Sequence, residues 1–286
     1  MTLQDVVRVG RTRPTVRLQP LFSPTPVHDP TVKTQLRRLA HEAGVVVAML
    51  FLYDVGRYLA ARHVGMAIAN SDSVWHVERW LDLPNEAWVQ AWVLDGSADL
   101  MQAANIYYAG MHFPVTLLAL IWLFILRPSH YLWARRALVT ATSLGLVIEF
   151  VYPLAPPRMR TDLGFVDAAE RFGQSVYDAP GVSGLTNQFA AMPSLHVGWA
   201  LLVAIVLISA SQSQWRWLFA AHPVLTALVV VVTANHYWLD GIVGSALVLF
   251  ALAVHRSDSL MQHPQPITLR AWPVPAKPAE VVGAGR

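Results

Sequence analysis

Two uncharged stretches constrain the fold of this chain more than any other feature of its sequence. The residues from Leu100 to Leu126 contain no Asp, Glu, Lys or Arg in 27 positions, and Val197 to Trp215 contains neither a charge nor a histidine in nineteen. Because a helix rises about 1.5 Å per residue, each stretch is long enough to cross the hydrocarbon core of a bilayer. The sequence therefore predicts an all-α membrane protein.

The overall composition supports this class. Hydrophobic residues make up 55% of the 286 positions and charged residues only 14%, which is too apolar for a typical soluble domain. The net charge is +3, but the basic residues lie at the ends and between the apolar runs, so we expect no nucleic acid partner. The absence of cysteine excludes disulfides and thiolate metal sites.

The apolar runs predict an integral membrane bundle of six transmembrane helices, forming one domain over residues 43–256. The first run, 43–61, is interrupted by Asp54 and Arg57, which are three apart and can pair on one helical face. Between the first and second spans, residues 63–99 mix four tryptophans with charged residues, a pattern typical of helices that lie in the membrane interface. The other spans are predicted at 100–126, 137–153, 197–211, from Arg216 to about 236, and 240–254.

The two ends of the chain lack any helical or strand period. Residues 1–42 are predicted to be a disordered basic arm, and residues 257–286 a disordered Pro-rich tail. With both ends on one side of the membrane, that side receives fifteen Lys or Arg residues and the other side five. The positive-inside rule then predicts a multi-pass protein of the cell membrane with both termini cytoplasmic.

Two short polar motifs lie where predicted spans begin or end: Met-Pro-Ser-Leu-His at 192–196 and Asn-His-Tyr-Trp-Leu-Asp at 235–240. A hairpin of helices would bring His196 and His236 to the same, extracytoplasmic, membrane face. Pro193 and Ser194 suit the start of a helix, whose free N–H groups attract anions. His236 and Asp240 are four apart on one helical face, where a carboxylate can orient an imidazole for nucleophilic or proton-shuttling work.

The residues alone leave other readings open. Both histidines can simply satisfy polar groups at the membrane rim. Together with Asp240 they can also bind a metal such as Zn²⁺, or they can line a polar path in a non-catalytic lipid-binding or transport protein. The occurrence of both motifs at ends that are predicted to meet favours catalysis.

A resemblance to a known protein family supports the catalytic interpretation. The segments Ala-Ala-Met-Pro-Ser-Leu-His (190–196) and Thr-Ala-Asn-His-Tyr-Trp-Leu-Asp (233–240) resemble the second and third signatures of the type-2 phosphatidic acid phosphatase superfamily of membrane lipid phosphatases and phosphotransferases. Tyr-Pro-Leu-Ala-Pro-Pro-Arg (152–158) is similar to the branch that contains inositol phosphorylceramide synthase. Val151 stands where that superfamily usually has a lysine, and Val229 and Val230 where it has Ser-Arg, so we expect a less cationic phosphate site.

The resemblance implies a mechanism. His236 would attack phosphorus and form a phosphohistidine, Asp240 would orient its ring, and His196 would protonate the leaving oxygen and then deprotonate the acceptor. The expected activity is an inositol phosphorylceramide synthase-like phosphotransferase; the alternative is a phosphatase of lipid phosphates or polyprenyl (di)phosphates. The substrate is then a membrane lipid phosphate, the acceptor an alcohol or water, and neither a cofactor nor a metal is expected.

Further residues are predicted around this centre. Arg158 and Ser194 are the first candidates to bind the phosphate, followed by Arg160, Asn187 and Tyr237. In the second span, polar residues spaced three and four apart predict either a substrate wall or hydrogen bonding between helices; they are Asn105, Tyr108 and His112. Glu149, in the third span, is a further candidate for the pocket wall.

Overall fold

The structure is a computed structural model that describes residues 64–172 and 188–261, together with scattered positions between 37 and 51. The chain divides into two compact units, Met1–Val47 and Ala48–Arg286. In the first unit the described positions are helical and include Arg37 and Glu42, which the sequence assigned to the arm. The predicted Asp54–Arg57 pair and most of the two terminal segments lie outside the described residues.

The described part of the second unit is built of helices, and the one β-bridge there pairs Leu154 with Ala190. The α-helices are α1 (Val64–Trp80), α2 (Glu86–Gly96), α3 (Ala98–Gly110), α4 (His112–Leu126), α5 (Pro128–Val151), α6 (Ala168–Phe172), α7 (Leu195–Ala210), α8 (Ala221–Val232) and α9 (Trp238–Met261). Short 3₁₀ helices occur at Pro157–Met159, Thr161–Leu163 and Gln214–Ala220. The all-α class is therefore confirmed for these residues.

Local signals account for several helix boundaries. The side chains of Asn85 and Ser97 accept the backbone N–H of Trp88 and Leu100, which caps α2 and α3. Pro128 occupies the first turn of α5, a position that suits a residue without an N–H group. Because α5 starts there, Arg135 and Arg136 lie within the helix, which begins nine residues before the predicted start of the third span at 137. At the other end of the chain, α9 continues to Met261, beyond the predicted domain boundary at 256.

Two helical segments in the described part of the chain are long and apolar enough to cross a membrane: Gln214–Val232 and Trp238–His255. A third span results if α3 and α4 act together, although the chain bends by 48° between them. α7 is strongly apolar but has only 16 residues. The count of six spans stays a prediction. So does the interfacial placement of α1 and α2, where Trp80, Trp88 and Trp92 are exposed.

The helical core forms where α9 packs against α5 and α7. The contact face of α5 is made of small residues, with Ala134, Ala137 and Ala141 fully buried. Small side chains let helix backbones approach closely when apolar surface gives no extra driving force inside a bilayer. Trp133 of α5 also donates its indole N–H to the carbonyl oxygen of Leu252 at 2.8 Å. These contacts fix α9 relative to the rest of the bundle.

The crossing of α7 and α9 sets the position of the two sequence motifs. A Cβ atom on Gly198 would lie 2.9 Å from the carbonyl oxygen of Gly244, and a Cβ on Gly244 would collide with the carbonyl oxygen of Ser194. Only glycine permits this approach, because neither obstacle is a side chain that can move. The backbone N–H of Ser194 donates to the carbonyl oxygen of Asp240 at 2.9 Å across the same crossing. The first turns of α7 and α9 are therefore adjacent.

Candidate active site

The two motif histidines meet at this crossing. His196 lies in the first turn of α7, and His236 lies in the turn between α8 and α9. Their ring centroids are 5.9 Å apart. The sequence predicted that a hairpin of helices would bring His196 and His236 together, and the two rings are close in the structure. Two imidazoles at this separation can act on the same small group placed between them.

His236 is oriented by the backbone. Its Nδ1 atom lies 2.7 Å from the carbonyl oxygen of Ala191, and 3.4 Å from Oδ2 of Asp240. A carbonyl oxygen can only accept a hydrogen bond, so Nδ1 carries the hydrogen and Nε2 keeps its lone pair. Asp240 Oδ2 accepts the N–H of Tyr237 at 2.8 Å. Asp240 therefore fixes the start of α9 and places a carboxyl group near the ring, while Ala191 holds the ring itself.

The surroundings keep His236 neutral. Burial lowers the pKa of His236 to about 4; the charge of Arg158 lowers it too, and the hydrogen bond to Ala191 opposes both. A buried imidazole loses the hydration that its charged form would have in water. At physiological pH the ring is thus a neutral base with a free Nε2 lone pair, which is the form a nucleophile needs.

His196 lies in an aromatic stack. Its ring centroid is 4.5 Å from that of Tyr108 and 4.3 Å from that of His112, and His112 stacks in turn on Trp199 at 4.6 Å. Tyr108 and His112, two of the predicted wall residues, therefore lie against His196. Stacking on rigid neighbours restricts the rotation of the His196 ring and so fixes its orientation.

Asn105 and Glu149 are the other two residues predicted for the pocket wall. The side-chain amide of Asn105 donates to the carbonyl oxygen of Ala168 at 2.9 Å, which ties α3 to α6. This is the helix-to-helix hydrogen bonding that the sequence left open as the alternative. Glu149 is buried near the end of α5. Its place in the pocket wall stays a prediction.

Arg158 is anchored to the segment that carries His236. Its backbone N–H donates to the carbonyl oxygen of Ala234 at 2.8 Å, and its Nη1 lies 3.5 Å from Oδ1 of Asn235. Its Nε is 3.4 Å from Asp167 Oδ2. The side chain is almost fully buried. A buried guanidinium near His236 is a fixed positive charge that can stabilise anionic oxygens.

Arg160 and Tyr237, two further residues predicted to bind the phosphate, both form hydrogen bonds to Ser71 of α1. Arg160 donates to Ser71 Oγ at 2.9 Å and pairs with Asp72 and Asp162 at 2.7 Å each, and the pKa of Arg160 is raised chiefly by its bond to Asp162. The hydroxyl group of Tyr237 also binds Ser71 Oγ, at 2.7 Å. These bonds fasten the loop after α5 and the start of α9 to α1.

Ser194 and Asn187 complete the predicted set. The hydroxyl oxygen of Ser194 accepts the N–H of Val197 at 3.4 Å and caps α7. Asn187 lies outside the described residues. For Ser194, Asn187, Arg160 and Tyr237 a role in phosphate binding stays a prediction.

Two acidic residues next to this centre were not found by reasoning from the sequence. Glu78 Oε1 accepts the backbone N–H of Leu239 at 2.7 Å, and Glu86 Oε1 lies 3.5 Å from the N–H of Trp238. Both side chains are fully buried. The sequence showed acids among the tryptophans of residues 63–99, but no local pattern connects them to a motif more than 150 positions away.

A polar cluster between α3 and α8 was also missed. The hydroxyl of Tyr107 lies 2.8 Å from Nδ1 of His222 and 3.2 Å from Oγ1 of Thr226. A cavity of about 10 Å³ separates this group from His196. That volume is close to the minimum for one water molecule, and the polar lining offers it several partners.

An apolar groove begins beside the histidines. Its volume is about 420 Å³, and it runs between α7, α8 and α9. Its lining includes Val197, Val230, Val231, Gly241, Ser245 and Leu249. Val197 follows His196 directly in the sequence, and the groove continues to Tyr237, which follows His236. The volume is within the range of about 300–1,000 Å³ typical of ligand pockets.

Two imidazoles lie at the ends of apolar helices, with an apolar groove close by, and this arrangement fits the class of membrane lipid phosphatases and phosphotransferases. Residues 72–254, more than half of the chain, match the family model described as the PAP2 superfamily, and the chain belongs to this superfamily. The family resemblance predicted from the two histidine motifs is thereby confirmed. Among the described residues, no group of three or more His, Cys, Asp or Glu residues is arranged to hold a metal ion.

The sequence is also similar to that of one curated protein. Over 171 residues, or 54% of this chain, the sequence is 28% identical to the catalytic subunit aur1 of inositol phosphorylceramide synthase from Schizosaccharomyces pombe. The match spans 40% of the length of that relative. No solved structure matches the chain.

Proposed function

We propose that this protein transfers a phosphate-containing group from a lipid phosphate ester to an alcohol through a phosphohistidine at Nε2 of His236. The observation that carries the proposal is the 2.7 Å hydrogen bond from Nδ1 of His236 to the Ala191 carbonyl oxygen, with His196 facing the same space. This bond assigns the hydrogen to Nδ1, so the lone pair of Nε2 is available for attack.

The reaction has two steps that balance. In the first, Nε2 of His236 attacks phosphorus, the bond from phosphorus to the lipid oxygen breaks, and His196 gives its proton to that oxygen. In the second, His196 takes the proton of the acceptor hydroxyl, the acceptor oxygen attacks phosphorus, and the P–N bond breaks. His236 and His196 are both restored to their starting forms.

The fixed charges around His236 support both steps. Asp240 faces the Nδ1 side of the ring, where positive charge develops once Nε2 is bonded to phosphorus. Arg158 and the free N–H groups at the start of α7 supply positive potential for the phosphoryl oxygens. Because these groups are held by backbone bonds before substrate arrives, little reorganisation is required in the transition state.

The preferred acceptor is an alcohol, as in inositol phosphorylceramide synthase. The similarity to aur1 supports this choice, together with the Ala-Pro-Pro-Arg segment at 155–158. The water-sized cavity beside His196 favours a second candidate, in which water is the acceptor and the enzyme is a lipid phosphate phosphatase. Purified protein given a phospholipid and an alcohol acceptor would join the phosphate-containing group to the alcohol in the first case. In the second case it would release free phosphate, or the free phospho-alcohol headgroup.

We further propose that the protein is a six-span protein of the cell membrane whose site opens on the extracytoplasmic side. Fifteen basic residues on one side against five on the other support this orientation. The apolar groove supports a lipid substrate, because the hydrocarbon chain can stay in apolar surroundings while its phosphate reaches the histidines.

The roles of the histidines can be separated by leaving-group chemistry. An aryl phosphate needs little protonation when it departs, so His196→Ala should recover part of its lost rate on such a substrate, whereas His236→Ala should not. Acid-labile, base-stable phosphate should be trapped on the parent enzyme. If both variants lose aryl phosphate turnover to the same extent, the assignment of nucleophile and acid is wrong.

A further inference from the structure

The start of α9 is held by two buried carboxyl groups that come from the helices preceding the bundle. Glu78, on α1, accepts the N–H of Leu239 at 2.7 Å, and Glu86, on α2, lies next to the N–H of Trp238. These are first-turn N–H groups of α9, which have no partners within the helix itself. Since Asp240 lies in the same turn and His236 just before it, the two carboxyl groups fix the backbone that carries the proposed nucleophile.

The two carboxyl groups also face the same nitrogen, Nη2 of Arg79. Arg79 lies 3.0 Å from Glu86 Oε2, but 3.9 Å from Glu78 Oε2, which is beyond hydrogen-bonding distance. Among the described residues, Oε2 of Glu78 has no hydrogen-bond donor. Two adjacent carboxylates cannot hydrogen-bond each other, but a single proton on Glu78 Oε2 lets it donate to Glu86 and satisfies both.

We propose that Glu78 and Glu86 are positioning residues that share one proton, Glu78 as the neutral partner and Glu86 as the charged one, and that hold His236 and Asp240 in the reactive geometry. The assignment follows from Arg79, whose guanidinium is within hydrogen-bonding distance of Glu86 but 3.9 Å from Glu78. It rests on the proposed function of His236 as nucleophile. It also makes α1 and α2 part of the catalytic scaffold, in addition to any contact they have with the membrane.

The pKa of Glu78 agrees with the assignment of Glu78 as the neutral residue and Glu86 as the charged one. Burial, first of all, and the neighbouring Glu86 and Asp240 together raise the pKa of Glu78 to about 9, against the hydrogen bond from Leu239. The titratable and charged groups facing Glu78 are Arg79 on its own helix, Glu86 on α2, and Asp240 and Tyr237 at the start of α9. One guanidinium cannot balance three carboxylates, so one proton is retained at neutral pH.

The sharing of a proton predicts unequal effects of two matched substitutions. In Glu78→Gln the amide oxygen can accept from Leu239 and the amide N–H can donate to Glu86, so kcat should fall much less than in Glu86→Gln. In Glu86→Gln the charge that pairs with Arg79 is lost inside the protein, and kcat should fall by about 10-fold or more with KM little changed. Asp95→Asn, an exposed change on α2, is the control and should have no effect.

Two further measurements separate positioning from simple loss of folding. Combining Arg79→Gln with Glu86→Gln removes both charges and should recover activity relative to Glu86→Gln alone. The parent enzyme should lose activity as pH rises through about 9, where Glu78 loses its proton, and Glu78→Gln should abolish this alkaline loss. Equal damage from the two single substitutions, or an unchanged alkaline loss in Glu78→Gln, would overturn the proposal.

The outcome can be told apart from a failure of the proposed function. If His236→Ala kept full activity, the phosphohistidine scheme would be wrong whatever the glutamates do. If His236→Ala is inactive while Glu86→Gln turns over like the parent enzyme and yields as much trapped phosphohistidine, the nucleophile stands and the positioning role is refuted.

Discussion

His236 donates its Nδ1 hydrogen to the carbonyl oxygen of Ala191, five residues before the other motif histidine, His196, and 45 residues before His236 itself. The carboxylate of Asp240, four residues after His236, is 3.4 Å from the same nitrogen. The ring is thus oriented by a backbone atom of the first motif. Asp240 contributes charge next to the ring and a hydrogen bond to Tyr237.

This division predicts different results for two changes at Asp240. Asp240→Asn should lower kcat by about 10²-fold, because the negative charge beside the developing imidazolium is lost. Its amide oxygen can still accept the N–H of Tyr237, so thermal stability should be nearly unchanged. Asp240→Ala should lower both activity and the midpoint of thermal unfolding, since that N–H is left buried without a partner. Equal stability of the two variants would contradict the capping role.

The helix crossing beneath the site predicts a contrast between two glycines of α9. Gly244→Ala should destabilise the protein by about 3 kcal/mol and abolish activity, because the new Cβ meets the backbone carbonyl of Ser194. Gly241→Ala is the matched control: its Cβ would lie 3.6 Å from Val197, an ordinary contact. It should keep activity and gain up to about 1 kcal/mol of helix stability. Thermal unfolding in detergent, with turnover measured in parallel, checks both.

The lowered pKa of His236 predicts activity in mild acid. With a pKa of about 4, His236 is about 90% neutral at pH 5, whereas an ordinary imidazole with a pKa of about 6.5 would be about 3% neutral. In His196→Ala with an aryl phosphate, whose departure needs little protonation, steady-state kinetics should therefore show a fall in kcat/KM that is centred near pH 4. An acid limb centred near pH 6.5 would contradict it.

The same shift has a consequence for stability. The pKa of His236 is lower in the folded protein than in the unfolded chain, so its contribution is fully present above about pH 6.5 and is lost as pH falls towards 4. His236→Gln, which cannot be protonated, should lose less stability than the parent protein over this pH range. Thermal unfolding at pH 7 and pH 5 measures the difference.

The apolar groove predicts selectivity for chain length. Ala246→Phe places a large side chain in the groove and should raise KM for a long-chain lipid phosphate about 10-fold, while KM for a short-chain analogue stays the same. Excluding about two methylene groups from an apolar site accounts for a change of this size, at about 0.8 kcal/mol each. Ala253→Phe, two helical turns farther along the same face and outside the groove, is the control. An equal rise in KM for both chain lengths would show that the groove does not hold the lipid chain.

The orientation in the membrane predicts a labelling pattern. Thr161 and Gln214 are exposed on connections that the proposed topology assigns to opposite sides. In intact cells, Thr161→Cys should react with an impermeant thiol reagent and Gln214→Cys should not. The natural sequence contains no cysteine, so the parent protein is a blank. Labelling of Gln214→Cys alone would invert the topology.

Much of the site could be read from the sequence because its information is local. Helices such as α7 and α9 follow from apolar runs, and Ser194 was predicted to begin a helix from its own position. The proximity of His196 and His236 followed from helix hairpins alone. Tyr108 and His112 were found through their helical spacing, although the same pattern also selected Asn105, which faces Ala168 instead. A polar face on one helix does not reveal which neighbour will cover it.

The sequence by itself determined the helical class, the family and the two histidines, since each depends on residues a few positions apart. Only the tertiary structure decided which groups hold the histidine segment in place. The carbonyl oxygen of Ala191 accepts a hydrogen bond from His236, and Glu78 accepts one from a first-turn N–H of α9. The tertiary structure also places the guanidinium of Arg160 against Ser71, Asp72 and Asp162. These partners are determined by how closely the helices pack. That depends on glycines such as Gly244 fitting against one particular backbone, and the spacing of residues along the chain does not encode it.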